Sequence, residues 1–167
     1  SSIGNNTEEV SESLLRGKSG ITRNEDMVAH GFRSQIAGNI KLDVSEYIDK
    51  RALRFMGLGA AYSHIAMEQA ITDAGLKEEE VSNTRTGLVA GSGGPSTSAM
   101  LAAHQTVLKN SSPKRIGPFA VPKCMSSTIS ANLATAFKIK GVNYSITSAC
   151  STSVSYTHLR AHETCEN

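Results

Sequence analysis

Cys150 is the side chain best placed for chemistry. It follows the stretch Val142-Asn-Tyr-Ser-Ile-Thr-Ser148 and sits among small residues, Ala149, Ser151, Thr152 and Ser153. That pattern reads as a strand running into a turn, with room for the backbone to bend and for a substrate to approach. A thiol at a strand-to-helix elbow gains nucleophilicity, because the aligned peptide dipoles of a helix start favour the thiolate. The backbone N–H groups of the same turn can receive an oxyanion. The alternative is a buried structural cysteine, since free cysteines are among the most buried residues.

The other reactive residue types carry less. Cys124 stands beside Met125 on a helical stretch and reads as packing, and Cys165 lies near the chain end. His64 and His104 fall in helical stretches and read as surface or packing residues. His158 and His162 are four apart, which can place two imidazoles on one helix face, but no third ligand accompanies them. Gly91-Ser-Gly-Gly94 lies between a strand and a helix, where backbone N–H groups can face a phosphate. It lacks the third glycine of a dinucleotide fingerprint and the Gly-Lys-Ser/Thr of a P-loop, so a tight strand-to-helix turn is the better reading. Lys77-Glu-Glu-Glu80 reads as a solvated turn.

The elements that must position Cys150 alternate between helix and strand. A first helix opens at Asn6, with Glu9 three residues on as a capping box requires, and Gly17 stops it. Val10 and Leu14 share its apolar face, and Ile36-Ala37-Gly38 reads weakly as extended. Helix follows Asp43, clearest from about Gly57 to Ala74, with Met67, Ala70, Ile71 and Ala74 on one face and Gly75 as the stop. Thr86-Gly-Leu-Val-Ala-Gly-Ser92 is a continuous apolar strand, as in a buried parallel sheet. A helix near Ser98–Lys109 and an irregular connector from Asn110 to Pro122 come next. Lys123 to Phe137 reads as one helix with Met125, Ile129, Leu133 and Ala136 on its apolar face. The pattern specifies an α/β chain with a mainly parallel sheet of three or four strands flanked by helices, Thr86–Ser92 lying beside Val142–Ser148.

Composition excludes several function classes. Lys and Arg total 17 against 15 Asp and Glu, so no broad basic face for nucleic acid is expected. Aromatics are 5% with no Trp, too few for a base-stacking platform. The apolar runs are short, so no transmembrane helix is expected. Three widely spaced cysteines form neither a disulfide framework nor a zinc signature, and a reducing cytoplasm is the natural setting. The 167 residues suffice for one domain with a sizeable core. Ser1-Ser-Ile-Gly4 has neither a signal peptide's character nor an initiator Met, so the sequence is expected to begin inside a longer one.

Several stretches, in order, resemble the N-terminal half of a β-ketoacyl-[acyl-carrier-protein] synthase, most closely the type I bacterial condensing enzymes. They are Ser1-Ser-Ile-Gly-Asn5, Arg54-Phe-Met56, Met67-Glu-Gln-Ala70 with Asp73-Ala-Gly-Leu76, Gly91-Ser-Gly-Gly94, Lys138-Ile-Lys-Gly-Val-Asn-Tyr-Ser145 and Thr147-Ser-Ala-Cys-Ser-Thr152. The last matches the family's nucleophile motif. The resemblance implies a thiolase-like fold, incomplete here, and a homodimer formed across this half.

It also implies fatty-acid elongation in the cytoplasm. Cys150 would take an acyl group from acyl-carrier protein and then undergo decarboxylative condensation with a malonyl group on the same kind of carrier. The phosphopantetheine arm would arrive with the carrier, and no metal or organic cofactor of the enzyme's own is implied. The family's two catalytic histidines and its lysine lie in the half absent here, and none of the five histidines of this chain stands in a matching motif. A fragment of this kind is expected to be inactive in condensation. A non-catalytic partner subunit resembling a chain-length factor is the rival reading, and the retained Cys150 speaks against it. A stand-alone thiol redox protein is a third, and the absence of a Cys-x-x-Cys pair speaks against that.

The resemblance covers residues 1–154, which are expected to form the truncated N-terminal domain. Ser155-Tyr-Thr-His-Leu-Arg-Ala-His-Glu-Thr164 fits no part of it. Residues 155–167 are therefore expected to be a non-native tail, resembling a translated sequencing-adapter artefact. A genuine divergent helix is the alternative, with Tyr156 and Leu159 on one face.

Overall fold

The computed structural model describes residues 1–160, which divide into two compact units, Ser1–Asp43 and a second beginning at Val44. In the first, α1 (Thr7–Leu15) is capped by Asn6, whose side chain accepts from the Glu9 N–H at 2.8 Å. The reciprocal bond differs from a capping box by one residue: the Glu9 carboxylate accepts from the Asn5 N–H at 2.9 Å. Gly17 ends the helix at φ +62°, and the Lys18 and Gly17 N–H groups close back on Ser13 and Leu14. β1 (Ile21–Arg23), α2 (Glu25–Ala29) and β2 (Ile36–Gly38) follow, and β1 and β2 pair antiparallel. The expected apolar face of α1 is not buried: Leu14 is 68% exposed, while Ser13 turns inward and donates to the Ile3 carbonyl. A unit of this size has too little interior to bury both faces of its elements.

The second unit holds α3 (Lys50–Leu53), α4 (Leu58–Asp73), α5 (Glu78–Val81), β3 (Leu88–Gly91), α6 (Thr97–Asn110), α7 (Ala120–Cys124), α8 (Thr128–Ala136), β4 (Asn143–Ile146) and α9 (Thr152–Arg160). Its core forms where α4 meets α8 and where α8 and α9 lie against the β3–β4 pair. Ala60 and Ala61 are 1% exposed, so the α4 backbone approaches its neighbours closely, and Ile65 and Leu133 fill the space beyond. The buried stripe of α4 is therefore Ala60, Ala61 and Ile65, whereas Ala70 and Ala74 of the expected face are exposed. Gly75 takes φ +64° and stops the helix as expected.

The strands pair parallel with Leu88 opposite Asn143 and Gly91 opposite Ile146, which places the two expected segments side by side. The sheet has two strands rather than three or four, and β1 and β2 form their own pair. β3 is half-buried throughout, but Asn143, Tyr144 and Ser145 of β4 are exposed, so the two-sided burial expected from apolar character holds only in part. The architecture is α/β, with a small parallel sheet packed by helices. The predicted Lys123–Phe137 helix is broken at Met125, which is extended at ψ 141°. Pro122 is tolerated in α7 because first-turn N–H groups have no helical partner to lose. Lys77–Glu80 is not a plain turn, since Glu78–Val81 forms a helical turn with Val81 buried beneath it. No described helix is long and apolar enough to cross a membrane.

α8 ends in a Schellman closure, the Ile139 N–H bonding the Ala134 carbonyl and the Lys138 N–H the Thr135 carbonyl. Lys138 occupies the left-handed position at φ +53°, where glycine is the usual residue. Its ammonium pairs with Glu78 at 2.6 Å. The hydrogen bond and charge of Lys138 hold the Glu78 carboxyl below its ordinary range, and Glu78 in turn raises the Lys138 ammonium. The pair weakens as pH falls through the lowered carboxyl and again as pH rises through the raised ammonium. Both groups are solvent-exposed, so water screens the interaction and the backbone conformation dominates. Lys138→Gly is expected to raise the thermal midpoint, by a stability gain of about 1 kcal/mol from relief of the left-handed conformation. A lowered midpoint would show that the ion pair outweighs the backbone.

Candidate active site

The site is an elbow between β4 and α9. The parallel ladder continues one residue past the strands, with the Ser92 N–H donating to the Ile146 carbonyl at 3.3 Å. The chain then reverses. Ser148 is at φ −142°, Ala149 lies in the left-handed region at φ +48°, and Ala149–Ser151 form a 3-10 turn that leads directly into α9. A left-handed alanine costs about 1–2 kcal/mol, so this turn is held by its surroundings. Cys150 lies in the middle of the 3-10 turn and is exposed. The sequence expectation of a cysteine between a strand end and a helix start matches this placement.

Thr152 ties the elbow. Its Oγ1 accepts from the Ser148 N–H at 2.9 Å and donates to the Ala149 carbonyl at 2.7 Å, and the residue is 5% exposed. Ser148 and Ser155 share a hydroxyl bond at 2.7 Å. β3 presses against the same turn. A Cβ on Gly91 would collide with Thr152 Cγ2 and stand 3.0 Å from the Ile146 carbonyl oxygen and 3.2 Å from Tyr156 Cδ1. At Gly93 a Cβ would stand 3.2 Å from the Ala149 carbonyl oxygen. The glycines at 91 and 93 therefore give the elbow room, which agrees with a tight turn rather than a phosphate loop. Ser92 closes that turn by donating to the Gly94 carbonyl at 2.6 Å. Sequence reading missed this use of Gly91, Gly93 and Thr152. The available signal was a pair of small residues at 91 and 93 facing a hydroxyl two places after the cysteine.

Chemically, the elbow offers an exposed thiol at a helix start; the Ser148, Ser151 and Thr152 N–H groups are engaged within the turn, which leaves the N–H of Cys150 itself for an incoming oxygen. That combination suits attack on a carbonyl and retention of the resulting oxyanion. Of the remaining candidates, His30, His64 and His158 are engaged by neighbouring groups. Cys124 is half-buried at the end of α7. His64 stacks on Phe137 with ring centroids 4.9 Å apart, its Nδ1 buried without a hydrogen-bond partner. His158 Nδ1 lies 2.9 Å from the Val154 carbonyl oxygen, and His30 Nδ1 lies 2.8 Å from that of Asp26. His104 is exposed on α6. His162 and Cys165 lie outside the described residues. Among the described residues, no three His, Cys, Asp or Glu side chains gather as a metal set.

Solved structures share the fold. The chain superimposes on a beta-ketoacyl synthase from Burkholderia phymatum STM815 with a TM-score of 0.75 at 23% identity, covering 96% of this chain and 41% of that one. On the ishigamide ketosynthase/chain length factor the TM-score is 0.76 at 21% identity, covering 88% and 37%. The fold is thus that of the ketosynthases, which are thiolase-like. Residues 1–163 match the model of the beta-ketoacyl synthase N-terminal domain, and the chain belongs to that family.

Among curated relatives, 3-oxoacyl-[acyl-carrier-protein] synthase 1 of Haemophilus influenzae is 54% identical over 153 residues, covering 92% of this chain and 38% of the relative. The enzyme of the same name from Escherichia coli K12 is 49% identical over 154 residues, again covering 38% of its length. The chain spans less than two-fifths of these relatives. α9 runs unbroken from Thr152 through the expected boundary at 154 to Arg160, and the family match extends three residues further.

The contact between β3 and the elbow gives a specific test. Gly91→Ala overpacks against the Thr152 methyl, which cannot rotate away without breaking the two bonds of its hydroxyl. Destabilisation of about 1–3 kcal/mol is expected in chemical denaturation. Adding Thr152→Ser removes the methyl, keeps the oxygen and should recover most of the loss. Equal loss in the single and double variants would mean that the Ile146 carbonyl, not Thr152, sets the clearance.

Proposed function

We propose that this chain is the acyl-accepting portion of a 3-oxoacyl-[acyl-carrier-protein] synthase of fatty-acid elongation, with Cys150 as the nucleophile. The observation that carries the reading is the exposed Cys150 in a turn held by a left-handed Ala149 at the start of α9. The similarity to curated synthases of that name supports it. The Cys150 thiolate attacks the thioester carbonyl of an acyl group carried on the phosphopantetheine arm of acyl-carrier protein. A new thioester forms at Cys150, and the carrier's thiolate leaves and takes up a proton. The Cys150 N–H stabilises the tetrahedral oxyanion between these steps. A malonyl group on a second carrier then loses carbon dioxide, and its carbanion displaces Cys150 to give a 3-oxoacyl product two carbons longer.

In this reading residues 1–154 carry the function and residues 155–167 add no catalytic group. The whole enzyme works as a homodimer in the cytoplasm, and nucleic acid and membrane are not partners. The second step needs donors for the developing enolate, and in this reading they come from outside this chain. His64 is stacked on Phe137, and His158 is held at the Val154 carbonyl.

The purified chain, incubated with octanoyl-acyl-carrier protein and analysed by mass spectrometry, is expected to gain one octanoyl group on the peptide containing Cys150. Cys150→Ser should lose the label, and added malonyl-carrier protein should yield no 3-oxoacyl product. The expected deficit in condensation is several orders of magnitude, because members of a catalytic set act as a unit. No acyl uptake would favour a non-catalytic partner of the chain-length-factor kind. Condensation abolished by Cys150→Ser would mean that a histidine of this chain serves after all.

A further inference from the structure

We propose that Thr152 is a positioning residue for the Cys150 nucleophile: its hydroxyl clamps the left-handed turn that presents the thiol. The proposal rests on the reading of Cys150 as the acyl acceptor and assigns a role to a side chain that does not itself touch the acyl group. One hydroxyl serves two backbone groups that flank the reversal, accepting from the Ser148 N–H at 2.9 Å and donating to the Ala149 carbonyl at 2.7 Å. The reversal itself is the left-handed Ala149, between those two bonds and directly before Cys150.

Burial makes the clamp strong. Thr152 is only 5% exposed, so water does not readily replace the lost oxygen at those two backbone groups. Its methyl group faces the space that the missing Gly91 side chain leaves, which fixes the rotamer and aims the hydroxyl at the turn. Strand β3 thereby bears on the Cys150 turn through Thr152. Without the oxygen, the Ser148 N–H loses its partner and the Ala149 carbonyl keeps only the Thr152 backbone N–H, so the turn is free to relax and Cys150 shifts from the start of α9. The rate at which the thiol reacts then falls, although its exposure does not.

Alkylation by iodoacetamide, read at both cysteines by mass spectrometry, tests the role. Cys124, half-buried in α7, is the internal control for general loosening. In wild type Cys150 should label faster than Cys124. Thr152→Val keeps the shape and loses the hydroxyl, and Cys150 labelling should slow by about tenfold with Cys124 unchanged. Thr152→Ser restores the oxygen and should stay within about twofold of wild type. If Thr152→Val does not fold, the pair Thr152→Ser and Thr152→Ala, differing by one oxygen, decides with the same expectation.

Wild-type Cys150 labelling in the variants that lack the hydroxyl would overturn the proposal, as would an equal fall in Thr152→Ser. The acyl-carrier assay separates this from the functional reading. If wild type takes no acyl group but the alkylation pattern holds, the clamp stands and the acyl-transfer reading fails. If Cys150 is acylated at equal rates with and without the hydroxyl, the acyl-transfer reading stands and the clamp is wrong.

Discussion

The left-handed conformation of Ala149 is the constraint on which the rest of the site depends. An L-residue with a Cβ avoids that region, so neighbouring contacts must hold it there. Two sources do so: the hydroxyl of Thr152 from the helix that follows, and the approach of Gly91 and Gly93 from the strand alongside. Because β3 and β4 run parallel and in register, both sources converge on one point. The sheet, the glycine loop and α9 therefore act together as the mount for a single sulfur atom.

The second unit supports this mount through close helix packing. Ala60 and Ala61 let the α4 backbone approach its neighbours, and α8, which contacts α4, also covers part of β3 and β4. Small side chains stand at two of the close approaches in this unit: Ala60 and Ala61 on α4, and Gly91 and Gly93 against the elbow. Large apolar residues such as Ile65 and Leu133 complete the core at a distance from those points.

How much was legible in the sequence follows from which forces were local. The β3 and β4 segments and the position of Cys150 could be read because apolar character, glycine and small residues are signals carried within a few neighbours. Gly17 and Gly75 marked their helix ends for the same reason, each taking positive φ. The break at Met125 was hidden because the spacing of Met125, Ile129, Leu133 and Ala136 carries a helical period across it, while the backbone there is extended. The buried stripe of α4 was misplaced because apolar and small residues run along the whole helix, so Met67, Ala70, Ile71 and Ala74 share a face as well as Ala60, Ala61 and Ile65 do, and only the contact with α8 selects the N-terminal set. The tie between Gly91 and Thr152 went unread although both residue types were in view, because it joins residues about sixty positions apart and only the parallel register brings them together.

That register has a kinetic meaning. Leu88 finds Asn143 roughly 55 residues later, so the sheet closes only after a long intervening segment has folded or been looped out. Contacts of such sequence separation form late and slowly, because loop-closure entropy is spent before any pairing energy returns. On a ribosome, β3 and its glycine loop emerge well before their partner strand. The elbow's geometry therefore waits on that pairing, because the glycine loop can press on the turn only once β3 and β4 lie side by side.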